Sequence, residues 1–137
     1  MDLSDLIEGN AAFTPGKAAI VFEGETLTYQ AFHARIELTA CALKTEFGVS
    51  RGDRIAIISL NRPDYLVLLY ACARLGAMLV PLNWRLAVAE QEFILLDASV
   101  KVLVLEQAFA EALPALQRQL PETSIVGLDF TPPRGLA

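Results

Sequence analysis

Apolar residues recur along this chain in two rhythms, and the change from one to the other marks its elements. Ala18-Ala19-Ile20-Val21-Phe22 is a short apolar run, Glu23-Gly24-Glu25 interrupts it as a turn, and Thr26-Leu27-Thr28-Tyr29 resumes it. This predicts a small β-hairpin. From Thr28 the spacing lengthens. Phe32, Ile36, Ala40, Leu43 and Phe47 follow at intervals of four, four, three and four, which draws one apolar stripe on a helix. Thr28 suits its N-cap and Gly48 the left-handed position just past its end. Arg54-Ile55-Ala56-Ile57-Ile58-Ser59 is then apolar without alternation, as strands covered on both faces are. Asn61-Arg62-Pro63 opens a second helix, with Pro63 where its missing N–H costs nothing, and Gly76 closes it. The pattern continues with a strand over 77–82, a helix over 88–97, a strand over 101–105, a helix over 108–119 and a strand over 124–128.

Strand and helix thus alternate four times after the hairpin. The expected fold class is α/β: a parallel, Rossmann-like sheet flanked by helices and preceded by a small β-hairpin. Tyr65 to Leu82 is the most hydrophobic stretch, but Arg74 divides it and Gly76 and Pro81 follow. It reads as buried helix, turn and buried strand rather than as a membrane span. The N-terminus carries Asp2, Asp5 and Glu8 and no basic region, so it is not a signal peptide. The expected location is cytoplasmic, with no transmembrane segment.

Composition sharpens this picture. The 137 residues are 54% hydrophobic and 20% charged, which excludes a disordered chain. Eleven basic against sixteen acidic side chains give a net charge of −5, the wrong sign for coating a nucleic acid. The mean hydropathy is high for one domain, as if some apolar surface packed against further protein. Two cysteines with no C-x-x-C spacing and one histidine are a poor match to a structural zinc site, which needs about four ligands, so none is expected. Cys41 and Cys72 lie in predicted helices and are expected to be buried as small hydrophobes.

Chemistry is harder to find. No two glycines stand in a G-x-G relation, and no G-x-x-x-x-G-K-[ST] loop is present; Lys17 and Lys101 have no glycine-rich context. His33 follows a stripe position of the first predicted helix and is expected to be partly exposed. Glu23 and Glu25 fall in a turn, Glu90 and Glu92 at a helix start, where the dipole favours acids and solvent reaches them. Read residue by residue, the chain yields a fold and neither a catalytic nor a metal site.

The order of its segments nevertheless resembles a family. Pro15-Gly16-Lys17-Ala18-Ala19-Ile20, Leu27-Thr28-Tyr29, Gly48-Val49-Ser50-Arg51-Gly52-Asp53-Arg54-Ile55-Ala56, Asn61-Arg62-Pro63 and Leu75-Gly76-Ala77-Met78-Leu79-Val80-Pro81-Leu82-Asn83-Trp84-Arg85-Leu86 together resemble the beginning of an adenylate-forming enzyme. They are most similar to the AMP-forming acyl-CoA synthetases, the fatty-acid–CoA ligases and their aryl-acid counterparts. The resemblance covers residues 13–130. It implies activation of a carboxylate with ATP and Mg²⁺ to an acyl-adenylate, then transfer of the acyl group to the thiol of CoA. The phosphate loop, the adenine and ribose motifs and the catalytic lysine of such enzymes lie downstream of the matched region. The chain is therefore expected to be an N-terminal α/β subdomain over residues 1–130, with 131–137 a linker or truncated end. Alone it would be inactive and hold no cofactor; ATP, Mg²⁺ and CoA would belong to the whole enzyme. Its partner would be the remainder of that enzyme, and its uncovered apolar surface would favour self-association.

The resemblance also implies one ligand-binding residue. Arg85, just past the Pro81-Leu82-Asn83 segment, matches the place of an arginine that in some members of that family reaches the 3′-phosphate of CoA. A guanidinium suits phosphate bidentately and keeps its charge. Without the resemblance, Arg85 is a surface arginine in a strand-to-helix loop, and Trp84 a packing residue or part of an interface. Ala87 stands where the family often has Thr or Ser, so the helix after it lacks a side-chain cap. A different class also fits the bare fold: a self-standing α/β binding or oligomerisation module without catalysis.

Overall fold

The structure is a computed structural model and describes residues 1–132. These fall into two compact units, Met1–Arg51 with Asn61–Ala77, and Gly52–Leu60 with the chain from Met78 onward. The expected linker at 131–137 lies, from Pro133 on, outside the described residues.

The first unit contains helix α1 (Ser4–Phe13), the hairpin β1 (Ala18–Phe22) and β2 (Glu25–Thr28), and helices α2 (Tyr29–Phe47) and α3 (Pro63–Leu75). The apolar pattern above does not predict α1. Its start is fixed by acids: the Asp2 carboxylate accepts the Ser4 N–H, and Asp5 Oδ2 accepts the Asp2 N–H, both at 2.7 Å. This is a reciprocal cap built from Asp2-Leu3-Ser4-Asp5. The hydrogen bond from the Ser4 side chain is the main reason that the Asp2 carboxyl titrates below the usual carboxylate range. Glu23 and Gly24, both at positive φ, make the hairpin turn, as a two-residue connection between twisted strands requires.

Helix α2 follows the expectation. Thr28 Oγ1 accepts the Ala31 N–H at 3.2 Å, and Gly48 is left-handed at φ 65°. Phe32, Ile36, Ala40 and Leu43 are buried along the predicted stripe. Phe32, Ile36, Ile7 and Val67 form the core of this unit, and Phe32 meets Tyr70 edge-to-face with ring centroids 5.6 Å apart. Cys72 is buried, but Cys41 is exposed, contrary to the sequence expectation. Cys41 follows the stripe residue Ala40 by one position, a rotation of about 100° that takes it off the apolar face. Pro63 is the first residue of α3, and Gly76 ends it at φ 69°.

The second unit holds the sheet. Strands β3 (Arg54–Ile58), β4 (Met78–Pro81), β5 (Val102–Leu105) and β6 (Ser124–Gly127) are all parallel, in the order β4-β3-β5-β6. The two inner strands, β3 and β5, are buried on both faces from Ile55 to Ile58 and from Val102 to Leu105. This explains their unbroken apolar runs. Helices α4 (Val88–Asp97) and α5 (Leu113–Gln119) place Leu95, Leu113 and Leu116 in one core with Ala56, Ile58, Leu103 and Leu105.

The continuous helix expected over 108–119 is broken. A 3-10 helix occupies Gln107–Ala112, with Phe109 at the non-helical φ −112°, ψ 15°, and α5 begins only at Leu113. Pro114 is the cause: it has no N–H for the carbonyl of Ala110, and its ring crowds that carbonyl, so an α-helix cannot pass through it. Among the described residues no helix is long and apolar enough to cross a membrane.

Candidate functional site

Open parallel sheets bind ligands at the carboxyl ends of their strands, where the strand order reverses. In the second unit that place is the boundary between β3 and β5, whose crossovers lead to opposite edges of the sheet. The chain ends there in Ser59-Leu60 after β3 and Glu106-Gln107 after β5. Glu106 bridges them: one carboxylate oxygen accepts the Ser59 hydroxyl at 2.9 Å and the Leu60 N–H at 2.7 Å. Beside it the Gln107 N–H donates to Asp129 Oδ1 at 2.8 Å. The sequence pattern does not single out Ser59 or Glu106, which become neighbours only when the strands pair.

Arg85 stands in the loop after β4, on the same edge. The loop is tied down by its own polar groups. Asn83 Oδ1 accepts the Arg85 N–H at 3.0 Å, and the Asn83 carbonyl accepts the Leu86 N–H at 3.1 Å. Buried Gln91 donates to the Leu86 carbonyl, and Glu90 Oε2 accepts the Ala87 N–H at 2.9 Å. Helix α4 thus lacks a side-chain cap at Ala87, as expected, yet Glu90 supplies the return half of a capping box.

The Arg85 guanidinium lies over the indole of Trp84, 5.0 Å from its centroid, within the range of a cation–π contact. The same indole stacks on Phe109, with centroids 5.5 Å apart and planes at 25°. Trp84 therefore packs, as read from the sequence, while 39% of its surface stays exposed. Arg85 is exposed and, among the described residues, pairs with no carboxylate. The result is a cation on a fixed aromatic support, open to solvent, beside the C-terminal edge of a parallel sheet. Such an arrangement can take a phosphate or carboxylate through the edges of the guanidinium.

The other residues weighed from sequence do not converge on it. His33 is half-buried on α2, Glu23 is exposed in the hairpin turn and Glu25 at the start of β2, and Lys101 pairs with Asp53 at 3.2 Å. Among the described residues no three His, Cys, Asp or Glu side chains gather as metal ligands.

Comparison with known proteins gives one consistent result. The family described as "AMP-binding enzyme" matches residues 7–135. An indoleacetate–CoA ligase of Aromatoleum aromaticum is 39% identical over 135 residues, 98% of this chain and 26% of that protein. A fatty acid–[acyl-carrier-protein] ligase of Streptomyces coeruleorubidus is 36% identical over 116 residues, 85% of this chain and 22% of that protein. Among solved structures, a protein of Rhodopseudomonas palustris assigned as a long-chain-fatty-acid CoA ligase superposes with a TM-score of 0.89 at 32% identity. The superposition covers 97% of this chain and 34% of that one. The chain spans about a quarter of the length of the curated relatives it matches.

Proposed function

The chain belongs to the AMP-binding enzyme family, and from that premise we propose that it is the N-terminal part of an ATP-dependent acyl-CoA ligase. In that reaction a carboxylate attacks the α-phosphate of ATP, giving an acyl-adenylate and pyrophosphate. The thiol of CoA then displaces AMP and leaves as the thioester. The observation that carries the reading is the likeness, over nearly the whole chain, to ligases that differ in their acid. The acid is accordingly left at the level of a carboxylic acid.

The residues in hand fit one piece of this chemistry. Arg85, exposed and without an ion-pair partner among the described residues, suits the 3′-phosphate of CoA. The residues do not fit the ATP phosphates or Mg²⁺: the sequence holds no phosphate loop, and its described acids form no metal-binding cluster. No step of adenylation is assigned to them. Without preorganised donors at the α-phosphate, the 137 residues alone should release no pyrophosphate from ATP. Phe93 and Leu96, both exposed on α4, offer apolar surface to the rest of such a ligase. Uncovered, that surface favours self-association.

The test is Arg85→Ala in the active ligase that contains this chain. A charge-assisted hydrogen bond contributes about 1.5–3 kcal/mol, so the KM for CoA should rise roughly tenfold or more. Pyrophosphate release in the absence of CoA should hold. Dephospho-CoA lacks the 3′-phosphate, so wild type and variant should converge on it. Equal loss of both half-reactions, or of neither, would remove Arg85 from the CoA site.

A further inference from the structure

Arg85 does not stand on its loop alone. Its guanidinium lies over Trp84, and Trp84 stacks on Phe109, which the chain delivers from a different strand-to-helix connection. The two loops follow β4 and β5, the strands on either side of β3. We infer that Phe109 is a positioning residue for phosphate recognition: it fixes the Trp84 indole, and through it the Arg85 guanidinium. The inference rests on the reading of Arg85 as the CoA-phosphate residue and adds a residue that never touches the phosphate.

Three observations support it. An exposed arginine samples many rotamers, and a cation–π contact with Trp84 favours one subset of them before the ligand arrives. A cation–π contact draws on the charge of the guanidinium and consumes none of its N–H groups, which remain for bidentate contact with phosphate oxygens. The support is itself anchored. Phe109 sits at the one non-helical residue of the 3-10 turn, and its N–H donates to the Glu106 carbonyl at 2.9 Å. The Glu106 carboxylate is held by Ser59 and Leu60, and the Gln107 N–H by Asp129. The break that Pro114 forces on this segment therefore has a consequence, since a regular α-helix would carry residue 109 in a different direction. Phe109 also rests on the core of Leu95, Leu113 and Leu116, so a merely structural role must be separated by experiment.

The readout is the preference of the active ligase for CoA over dephospho-CoA, as the ratio of kcat/KM values. In Phe109→Leu, with Phe109→Met as the less disruptive alternative, that preference should fall about threefold or more, the scale of a lost aromatic pair. Phe109→Tyr keeps the ring and should restore it. In an Arg85→Ala background, Phe109→Leu should lower the preference no further, because the two residues act through one contact. The inference is overturned if Phe109→Leu and Phe109→Met reduce CoA and dephospho-CoA use equally, or leave the preference intact while Arg85→Ala abolishes it. If Arg85→Ala itself keeps the preference, the reading of Arg85 fails first and takes this inference with it.

Discussion

Glu106 and Ser59 lie 47 positions apart in sequence and 2.9 Å apart across the carboxyl ends of the two inner strands. Ser59 is buried, and the same carboxylate oxygen accepts the Leu60 N–H. Glu106→Ala withdraws that acceptor from both donors. A hydrogen bond to a charged group contributes about 1.5–3 kcal/mol, so a loss of about 1–3 kcal/mol in unfolding free energy is expected by urea denaturation. Glu106→Gln keeps an acceptor oxygen without the charge and should lose less. An equal loss in both variants would mean that the carboxylate charge is the whole effect. No loss in either would show that the Leu60 carbonyl, 2.8 Å from the Ser59 hydroxyl, and solvent serve these donors as well.

A stabilising change is expected at Ala87. Its backbone is already extended, at φ −62° and ψ 151°, as an N-cap requires, and Glu90 already returns the Oε2 half of a capping box. Ala87→Ser adds the missing oxygen. Caps of this kind contribute about 0.5–2 kcal/mol. The lower end is expected here, since the Glu90 N–H already reaches the Ala87 carbonyl at 3.0 Å. A rise in Tm checks it, and an unchanged or lower Tm refutes it.

The sheet was legible in the sequence because burial on both faces leaves unbroken apolar runs such as those over 55–58 and 102–105, with Pro63, Gly76, Pro81 and Pro121 marking several of the boundaries. The stripe of α2 was legible because Phe32, Ile36, Ala40 and Leu43 keep helical spacing. Helix α1 was not, because its signal is polar. Only Ser4 and Ile7 are buried in it, and Asp2-Leu3-Ser4-Asp5, which starts it, carries no apolar period. The 108–119 segment has helical spacing throughout, and Pro114 breaks it despite that spacing. Arg85 could be placed by its position just past a buried strand. Its support could not: Trp84 and Phe109 are joined only by tertiary packing, and no local pattern pairs a loop after β4 with a turn after β5. The Glu106–Ser59 contact was hidden for the same reason.

The two cysteines differ in their access to solvent. Cys41 is exposed on α2, while Cys72 is 1% exposed on α3, and burial pushes its thiol up to about 12. At pH 8 a disulfide reagent such as DTNB should therefore titrate one thiol quickly and the second only after denaturant is added. The same burial makes stability depend on pH. Below about 9, the ordinary value for this thiol, both folded and unfolded chains keep the Cys72 proton and nothing changes. Between about 9 and about 12 the unfolded chain has lost the proton and the folded chain retains it, so stability falls as pH rises, by up to about 1.4 kcal/mol per unit. Cys72→Ala should be less stable at neutral pH, because it leaves a gap in the core, but should lose the Cys72 share of the alkaline slope. Tyr65, whose phenol burial also pushes up, is present in both proteins, so the difference between their curves isolates the thiol. Denaturation midpoints from pH 8 to 10.5 decide it. Curves that converge with rising pH support a buried neutral thiol, and curves that stay parallel show that Cys72 ionises as readily folded as unfolded.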